Sequence, residues 1–337
     1  MGVTLDDVAQ RAGLSRTYVS LALRGSSRVS ERSRTRVLEA AKELGYRPNL
    51  NARRLASSRT DTIGVLISDL HNPLYAELLD GFDEHLPDRR DQWLLASGFR
   101  EPSRERAAID SFLALQVDAI VLLGSLLPAT SIQELAVNTP TVVAGRQVRG
   151  VDSVVVDDVA GVKLIMEHFR SLGHSRIAHL DGGNGARAKT RRRAYIDIMR
   201  FHGLQDHIRI CSGNYTEQSG EDAFHELWRE GKPSAIFAAN DLSALGILSA
   251  ARSAGLGIPT DLAVAGFDDT ALAQSGWVSL TTVGYSRSDM GAVTGDLLKH
   301  RMSTPESKAR SVVLQPSLKV RSTTVADHYP RDRPKGQ

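Results

Sequence analysis

Two patterns of apolar residues divide the chain. In the first sixty residues, apolar positions recur at helical spacing, as expected of amphipathic helices. From residue 62 onward, short and almost wholly apolar runs alternate with amphipathic stretches, which is typical of buried parallel strands followed by helices. The pattern predicts a small all-α head followed by a larger α/β body.

The head begins with two short helices joined by a tight turn, over residues 3–24. Ala12 and Gly13 occupy the turn, and Ser15 is a suitable N-cap for a helix that begins at Arg16. Ser30 is placed to cap a third helix over 31–44, which Gly45 ends. One shared core is expected from Leu5, Val8, Ala9, Leu14, Val19 and Leu23.

The segment after the third helix allows two interpretations. Pro48 breaks the chain, and Asn49 can cap a short basic helix over 50–56. A helix this short is marginal alone, so the segment could be a solvated linker. It could instead be a hinge that becomes helical on DNA, with Leu55 as an apolar wedge in the minor groove.

The body contains two series of strand–helix pairs. Strands are predicted at 62–68, 93–98, 119–124, 141–145 and 153–158, and then at 176–182, 235–240, 262–269 and 280–285. Helices are predicted between them, with 189–202 and 217–230 following one another directly. A helix at 286–302 and strands within 311–321 end the body. The pattern predicts two doubly wound subdomains, with the late helix returning to the first.

Charge favours nucleic acid as the partner of the head. Residues 1–60 hold 12 Lys and Arg against 5 Asp and Glu, a net charge of +7, whereas the whole chain is +3. A basic head on a mildly acidic body is what neutralisation of phosphates predicts. The alternative interpretation, an ordinary helical hairpin, does not explain this asymmetry.

Composition and motifs exclude several classes of protein. One cysteine, Cys211, allows no intramolecular disulfide, and no signal-peptide pattern or bilayer-length apolar run is visible, so a cytoplasmic protein without a membrane partner is expected. The glycine-rich 182–185 segment lacks the Lys-Ser/Thr of a phosphate-binding loop. No catalytic or metal motif appears, and neither enzyme activity nor a cofactor is predicted.

Many segments in order resemble the lactose-repressor (LacI/GalR) family of bacterial transcription regulators. They include VTLDDVAQRAGLSRTYVSLALRG, RVSERSRTRVLEAAKELGYRPN, VDSVVVDDVAG, AANDLSALGIL, AVAGFDD and LTTVGY, and the resemblance runs over residues 2–325. It implies a repressor that binds a pseudo-palindromic operator as a homodimer. The implied body resembles a periplasmic sugar-binding protein, with a small effector between its lobes.

The domain boundaries follow from the pattern and the resemblance. We expect a helix-turn-helix domain at 1–47, a hinge at 48–61, an effector-binding and dimerisation domain at 62–327, and a disordered tail at 328–337. Within the body, the N-subdomain is expected at about 62–157 and 286–316. The C-subdomain is expected at about 158–285 and 317–327.

The resemblance also implies which head residues contact DNA. The residues implied to read bases are Arg16, Thr17 and Leu21. Leu21 stands where arginine is frequent in the family. Leucine can pack on a thymine methyl group but cannot donate a hydrogen bond to guanine. The residues implied to contact the DNA backbone are Thr4, Ser15, Tyr18, Ser20 and Arg24. The residues implied in the hinge and minor groove are Asn51, Ala52, Arg53 and Leu55.

Effector residues are expected where strands of the body end, since ligands of two-lobed α/β proteins bind there. The candidates are Asp69, Asn72, Tyr75, Arg191, Tyr215, Asn240, Asp268 and Tyr285. Arginine, amide and carboxylate groups with aromatic rings suit a sugar. The resemblance implies ligand contacts for Arg191, Asn240 and Asp268 and pocket positions for the three tyrosines, while Gly145 departs from members that carry an aspartate there.

Simpler roles stay open for these residues. Asn240 and Asp268 could cap the helices that follow them, Arg191 could belong to a solvated charge run, and the tyrosines could be core. The effector itself is expected to be a sugar, with a nucleoside or purine as the alternative. Inducer and corepressor are equally allowed, because the sign depends only on which state the ligand prefers.

Overall fold

The computed structural model describes residues 3–23, 26, 28–46, 59–86, 88, 92–185 and 187–325. It forms two compact units, Met1–Thr60 and Asp61–Gln337. Several predicted features lie outside the described residues: Arg24, the hinge residues Asn51, Ala52, Arg53 and Leu55, and the tail at 328–337.

The first unit contains three short helices around one small core. They are α1 (Leu5–Ala12), α2 (Arg16–Leu23) and α3 (Glu31–Glu43). A capping box between Thr4 and Asp7 starts α1, and Gly13 ends it with a left-handed φ of 60°. The Ser15 hydroxyl accepts from the Tyr18 amide at 3.2 Å, so the predicted cap of α2 is confirmed.

The second unit is an alternation of helices and strands. Its helices are α4 (Leu74–Glu84), α5 (Pro102–Ala114), α6 (Ala129–Asn138), α7 (Asp158–Ser171), α8 (Ala188–Phe201), α9 (Glu217–Gly231), α10 (Asp241–Ser253), α11 (Ala271–Gln274) and α12 (Arg287–Ser303). Its strands are β1 (Thr62–Ile67), β2 (Gln92–Ser97), β3 (Ala119–Leu123), β4 (Thr141–Ala144), β5 (Asp152–Val156), β6 (Ile177–Asp181), β7 (Arg209–Ser212), β8 (Ala235–Ala238), β9 (Ala263–Phe267), β10 (Thr281–Gly284), β11 (Ser311–Leu314) and β12 (Ser317–Lys319).

Two six-stranded sheets are formed by the described residues, one in each lobe. The first lobe has the strand order β11-β5-β4-β3-β1-β2, and the second has β12-β10-β9-β8-β6-β7. All pairs are parallel except β10 with β12. The chain passes between the lobes after β5, after β10 and between β11 and β12, and α12 packs against α4 of the first lobe.

The predicted fold class, an all-α head with two doubly wound α/β lobes, is confirmed. Central strands such as β1, β3 and β9 are buried along their whole length, because helices cover both faces of each sheet. Strand β7 was not predicted from the pattern. It is a four-residue edge strand whose first and last residues, Arg209 and Ser212, are exposed, so it has no continuous apolar run.

None of the described helices combines the length and the apolar character that crossing a lipid bilayer would require. Apolar burial is instead distributed over the faces of the two sheets. The small first unit has a separate core around Val8, Val19 and Val37.

Paired glycines allow the closest helix contacts of both lobes. In the second lobe, a methyl group on Gly220 of α9 would overlap the Ser243 carbonyl, and one on Gly246 of α10 would overlap the Glu217 carbonyl. In the first lobe, Gly81 of α4 and Gly291 of α12 meet the backbone of the opposite helix in the same way. These helix pairs therefore require small residues at the crossing.

We expect Gly220→Ala to lower the free energy of unfolding by about 1–3 kcal/mol, because the added methyl group forces α9 and α10 apart. Gly231→Ala, near the end of the same helix, is the matched control. A methyl group there has no atom closer than 3.9 Å, so the helical preference of alanine should leave stability equal or raise it by up to about 1 kcal/mol. Urea unfolding measures both; equal effects of the two variants would contradict the close contact.

Candidate functional site

A cleft between the two lobes collects polar side chains from the ends of several strands. Its cavity volume is about 360 Å³, within the usual range for small-molecule sites. Seven of the predicted effector residues line it: Asp69, Asn72, Tyr75, Arg191, Tyr215, Asp268 and Tyr285. Asp69, Asp268 and Tyr285 follow β1, β9 and β10, so the parallel topology brings them together.

Asn240 lies behind the cleft and is not in its lining. Its side chain accepts from the Ser243 amide at 2.9 Å and so caps α10, which is the simpler of the two roles left open by the sequence. Its amide nitrogen donates to the Tyr215 carbonyl at 3.2 Å. Asn240 therefore holds the loop that carries Tyr215.

Arg191 is buried, and the role as part of a solvated charge run does not apply. Its Nε donates to the Asp158 carboxylate at 2.8 Å, and another nitrogen donates to the Ala239 carbonyl. Its guanidinium lies 3.5 Å from the centre of the Phe267 ring and 3.9 Å from the Asp268 carboxylate. Arg191 thus connects α8 to the ends of β8 and β9.

Arg187 is a second arginine of the cleft, and sequence reasoning missed it. It forms a forked pair with Asp158, with nitrogen–oxygen distances of 2.7–3.0 Å, and lies 5.8 Å from the centre of the Tyr285 ring. Asp158 was missed as well. It lies two residues after β5, and the strand-end rule that selected Asp69 and Asp268 would have found it.

Burial and charge shift the pKa values of three of the buried carboxyl groups of the second lobe. Burial opposes ionisation of Asp158, but Arg187 and Arg191 hold its pKa below the usual range. Burial raises the pKa of Asp268, and the two arginines offset this only in part. Burial and the neighbouring Asp268 raise the pKa of Asp241, which lies behind the cleft, to about 8.

The first lobe contributes a smaller charged pair and an apolar wall. Arg100, also missed from the sequence, contacts the Asp69 carboxylate at 2.8 Å, and the Tyr75 hydroxyl lies 2.6 Å from the Ser68 hydroxyl. The apolar lining consists mainly of Leu74, Leu78, Leu126 and Met290. Gly145 lines the cleft without a side chain, as its departure from the family pattern implies.

The glycine-rich segment 182–185 also lines the cleft, although the sequence indicated no chemistry for it. The Asp181 carboxylate accepts from the Gly183 amide at 2.8 Å and fixes the turn. A side chain on Gly182 or Gly185 would overlap the Tyr215 ring. The segment therefore leaves room for Tyr215 to form one wall.

This arrangement is suited to binding rather than to catalysis. Guanidinium groups and carboxylates offer bidentate hydrogen bonds, and phenol rings offer flat apolar faces. Among the described residues, no group of three His, Cys, Asp or Glu side chains has an arrangement that could hold a metal ion.

The first unit presents a second candidate site at the start of α2. Ser15, Arg16 and Thr17 are exposed there, whereas Tyr18, Ser20 and Leu21 are half-buried. Arg16 lies 3.6 Å from Asp6 in an exposed pair, which a stronger anion could displace. Leu21 packs partly against the core of the unit, so only part of its side chain is available to a partner.

Thr4, one of the residues predicted to contact the DNA backbone, is held by hydrogen bonds to Asp7. Its amide donates to the Asp7 carboxylate at 2.8 Å, and its hydroxyl accepts from the Asp7 amide at 3.3 Å. The Thr4 hydroxyl also donates to the Asp7 carboxylate at 2.8 Å, and the bonds that the Thr4 amide and hydroxyl donate to this carboxylate lower its pKa. The start of α1 is therefore held in place before any partner binds.

Comparison with known proteins finds a family model for each of the two units. The family model "Bacterial regulatory proteins, lacI family" matches residues 4–49, and "Periplasmic binding protein-like domain" matches residues 166–324. Catabolite control protein A of Staphylococcus xylosus is 33% identical over 330 residues, covering 96% of this chain and 100% of the relative. The transcriptional regulator DegA of Bacillus subtilis (strain 168) is 31% identical, covering 96% and 98%.

Solved structures show the same architecture. The lac repressor dimer bound to operator and the anti-inducer ONPF has a TM-score of 0.84 at 27% identity, covering 97% of this chain and 100% of that one. A complex of the transcriptional regulator CelR with cellobiose has a TM-score of 0.71 at 31% identity, covering 95% and 99%. These proteins are regulators and not enzymes. Since relatives above 30% identity align with nearly the whole chain, it belongs to the LacI family of bacterial transcriptional regulators.

Proposed function

We propose that this regulator is a cytoplasmic repressor that binds a pseudo-palindromic operator as a homodimer and is controlled by a sugar in the interlobe cleft. The observation that carries the proposal is the cleft itself, where seven residues selected from strand ends and from the loops and helices that follow them form one lining. The solved complex of CelR with cellobiose supports a sugar as the ligand.

The balance of charge in the cleft supports a neutral, polyhydroxylated ligand. Arg100 pairs with Asp69, and Arg187 and Arg191 share Asp158 with Asp268 nearby. Such paired groups can exchange hydrogen bonds with hydroxyl groups without requiring a charge on the ligand. Tyr75, Tyr215 and Tyr285 supply faces for the C–H side of a sugar ring.

The homodimer and its operator are supported by the first unit and by the lac repressor structure. That structure is of a dimer bound to operator, and two-fold symmetric dimers read pseudo-palindromic sites. Arg16 and Thr17, exposed in the first turn of α2, are the proposed base readers, with the exposed part of Leu21 beside them. A protein that acts on bacterial operators works in the cytoplasm.

The backbone contacts and the hinge belong to the same proposal. The hydroxyls of Thr4, Ser15, Tyr18 and Ser20, together with Arg24, would position the head on phosphates. Asn51, Ala52, Arg53 and Leu55 would form the minor-groove segment. We place the domain boundaries at 47 and 61, with the N-subdomain at about 62–157 and 286–316.

Thermal-shift measurements against sugars, polyols and nucleosides test the ligand. At one hundred times its Kd, a true effector adds about 2.7 kcal/mol to the stability of the folded protein, and the same compound should change operator affinity. Asp268→Asn should weaken its binding about tenfold or more, since a charged hydrogen-bond partner is lost. Asp206→Asn, on an exposed turn, is the control. A response to nucleosides and to no sugar would contradict the proposed ligand.

Arg16→Ala should weaken binding to the selected operator by about 1–3 kcal/mol and relax the preference at one base pair of each half-site. The operator is first obtained by selection from random duplexes, and binding is then measured on single-base variants. A duplex of the same length with scrambled half-sites is the control, on which the substitution should cost much less. An equal loss on all duplexes would show that Arg16 contacts only the backbone.

A further inference from the structure

A charged pair of the first lobe lies beside the cleft without lining it. Glu77 is in α4, and Arg287 is the first residue of α12, the helix that packs against α4. Arg287 Nε lies 2.5 Å from a Glu77 carboxylate oxygen. The Arg287 side chain is 12% exposed and the Glu77 side chain is 33% exposed. The pair borders a separate groove, so the effector site described above does not explain it.

Both members of the pair also bind the second lobe. The other carboxylate oxygen of Glu77 accepts from the Ala271 amide at 3.1 Å, and Arg287 Nη1 donates to the Asp268 carbonyl at 2.7 Å. Both contacts fall on the short segment 268–271 that follows β9. The Glu77 carboxylate accepts from an amide and the Arg287 guanidinium donates to a carbonyl, so this contact between the lobes is complementary in charge.

This segment has an unfavourable backbone. Asp268 and Asp269 have φ angles of 108° and 51°, which residues with a side chain rarely adopt. Such a conformation persists only where surrounding contacts hold it. Inside the second lobe, Arg321 binds the Asp269 carboxylate at 2.6 Å, while Glu77 and Arg287 hold the segment from the first lobe.

We propose that Glu77 and Arg287 form a latch that fixes segment 268–271 to the first lobe and thereby positions the Asp268 carboxylate in the cleft. Glu77 and Arg287 are positioning residues in this proposal and do not touch the effector. The role assigned to Asp268 as an effector contact rests on the proposed function. The latch itself is defined by contacts between groups of the protein.

The latch couples the cleft to the arrangement of the lobes. The Asp268 side chain faces the cleft, and the carbonyl of the same residue is bound by Arg287. A ligand that shifts the Asp268 side chain therefore changes the geometry at Arg287. Conversely, a change in the angle between the lobes changes the position of Asp268. Such a shared element gives two sites a coupling free energy.

Hydrogen exchange of the ligand-free, full-length dimer tests the latch directly. Glu77→Ala and Arg287→Ala should each speed exchange in the peptide that covers 268–275 by about tenfold, because a charge-assisted bond from the first lobe is lost. Exchange in α9 and α10 should not change. Asp197→Ala, which breaks an exposed ion pair with Arg193 on α8, is the matched control and should leave the peptide at the wild-type rate.

The double variant separates a latch from two independent contacts. If Glu77 and Arg287 act as one unit, the double variant should exchange little faster than either single variant. Multiplied effects, or wild-type exchange in all three, would overturn the proposal. Where an alanine variant fails to fold, Glu77→Gln and Arg287→Lys apply the same test with a smaller perturbation.

A distance measurement gives an independent result. Spin labels at Val137→Cys in the first lobe and Phe201→Cys in the second, both highly exposed positions, are placed in a Cys211→Ser background, with one labelled subunit per dimer. The double latch variant should broaden the interlobe distance distribution; an unchanged distribution would overturn the latch. No ligand is present, so a failed sugar screen would contradict the proposed function and not the latch.

Discussion

The cleft depends on one buried carboxylate, that of Asp158, on which two arginines meet. Asp158 is the first residue of α7, at the point where the chain enters the second lobe, and both Arg187 and Arg191 come from the α8 region. Buried charges are tolerated only when they are paired and hydrogen-bonded. The pairing therefore fixes α7 and α8 relative to each other, and through Arg191 it reaches the ends of β8 and β9.

Because the charges of the cleft are compensated within each lobe, the angle between the lobes can change without breaking these ion pairs. Asp69 and Arg100 both belong to the first lobe, and Asp158, Arg187, Arg191 and Asp268 all belong to the second. A change in the angle between the lobes therefore leaves none of these charges without its partner. A ligand between the lobes can then favour one angle with its own hydrogen bonds, without first separating an ion pair.

The sequence predicted the strands and the positions of cleft residues better than it predicted which side chains pair with each other. Central strands such as β1 and β9 are continuous apolar runs, and the polar residues after them, Asp69 and Asp268, could be placed in a cleft by topology alone. Strand β7 lacked such a run because Arg209 and Ser212, at its two ends, are polar and exposed. Arg187 was missed because nothing local distinguishes a buried arginine from a solvated one; its burial depends on Asp158, 29 residues earlier.

Asn240 also shows that a correct position along the chain does not identify the group that a side chain binds. The sequence placed it correctly at the end of β8, where both a ligand contact and a helix cap are possible. The serine three residues later completes a capping box, and that local bond competes with any ligand for the Asn240 oxygen. A strand-end position therefore does not by itself place a side chain in the cleft, since the bonds of the next helical turn decide whether the side chain is free to line it.

Helix α4 carries three residues with separate roles in the first lobe. Tyr75 at its start is a wall of the cleft, Glu77 binds the second lobe, and Gly81 allows the close contact with α12. Because a helix is stiff over such a short length, a displacement at Tyr75 must also move Glu77. Tyr75 and Asp268 both line the cleft, and Glu77 and Arg287 bind the segment that contains Asp268. Ligand contacts on either lobe therefore act on the same pair of charges, which is what a regulator needs to convert binding into a change between its lobes.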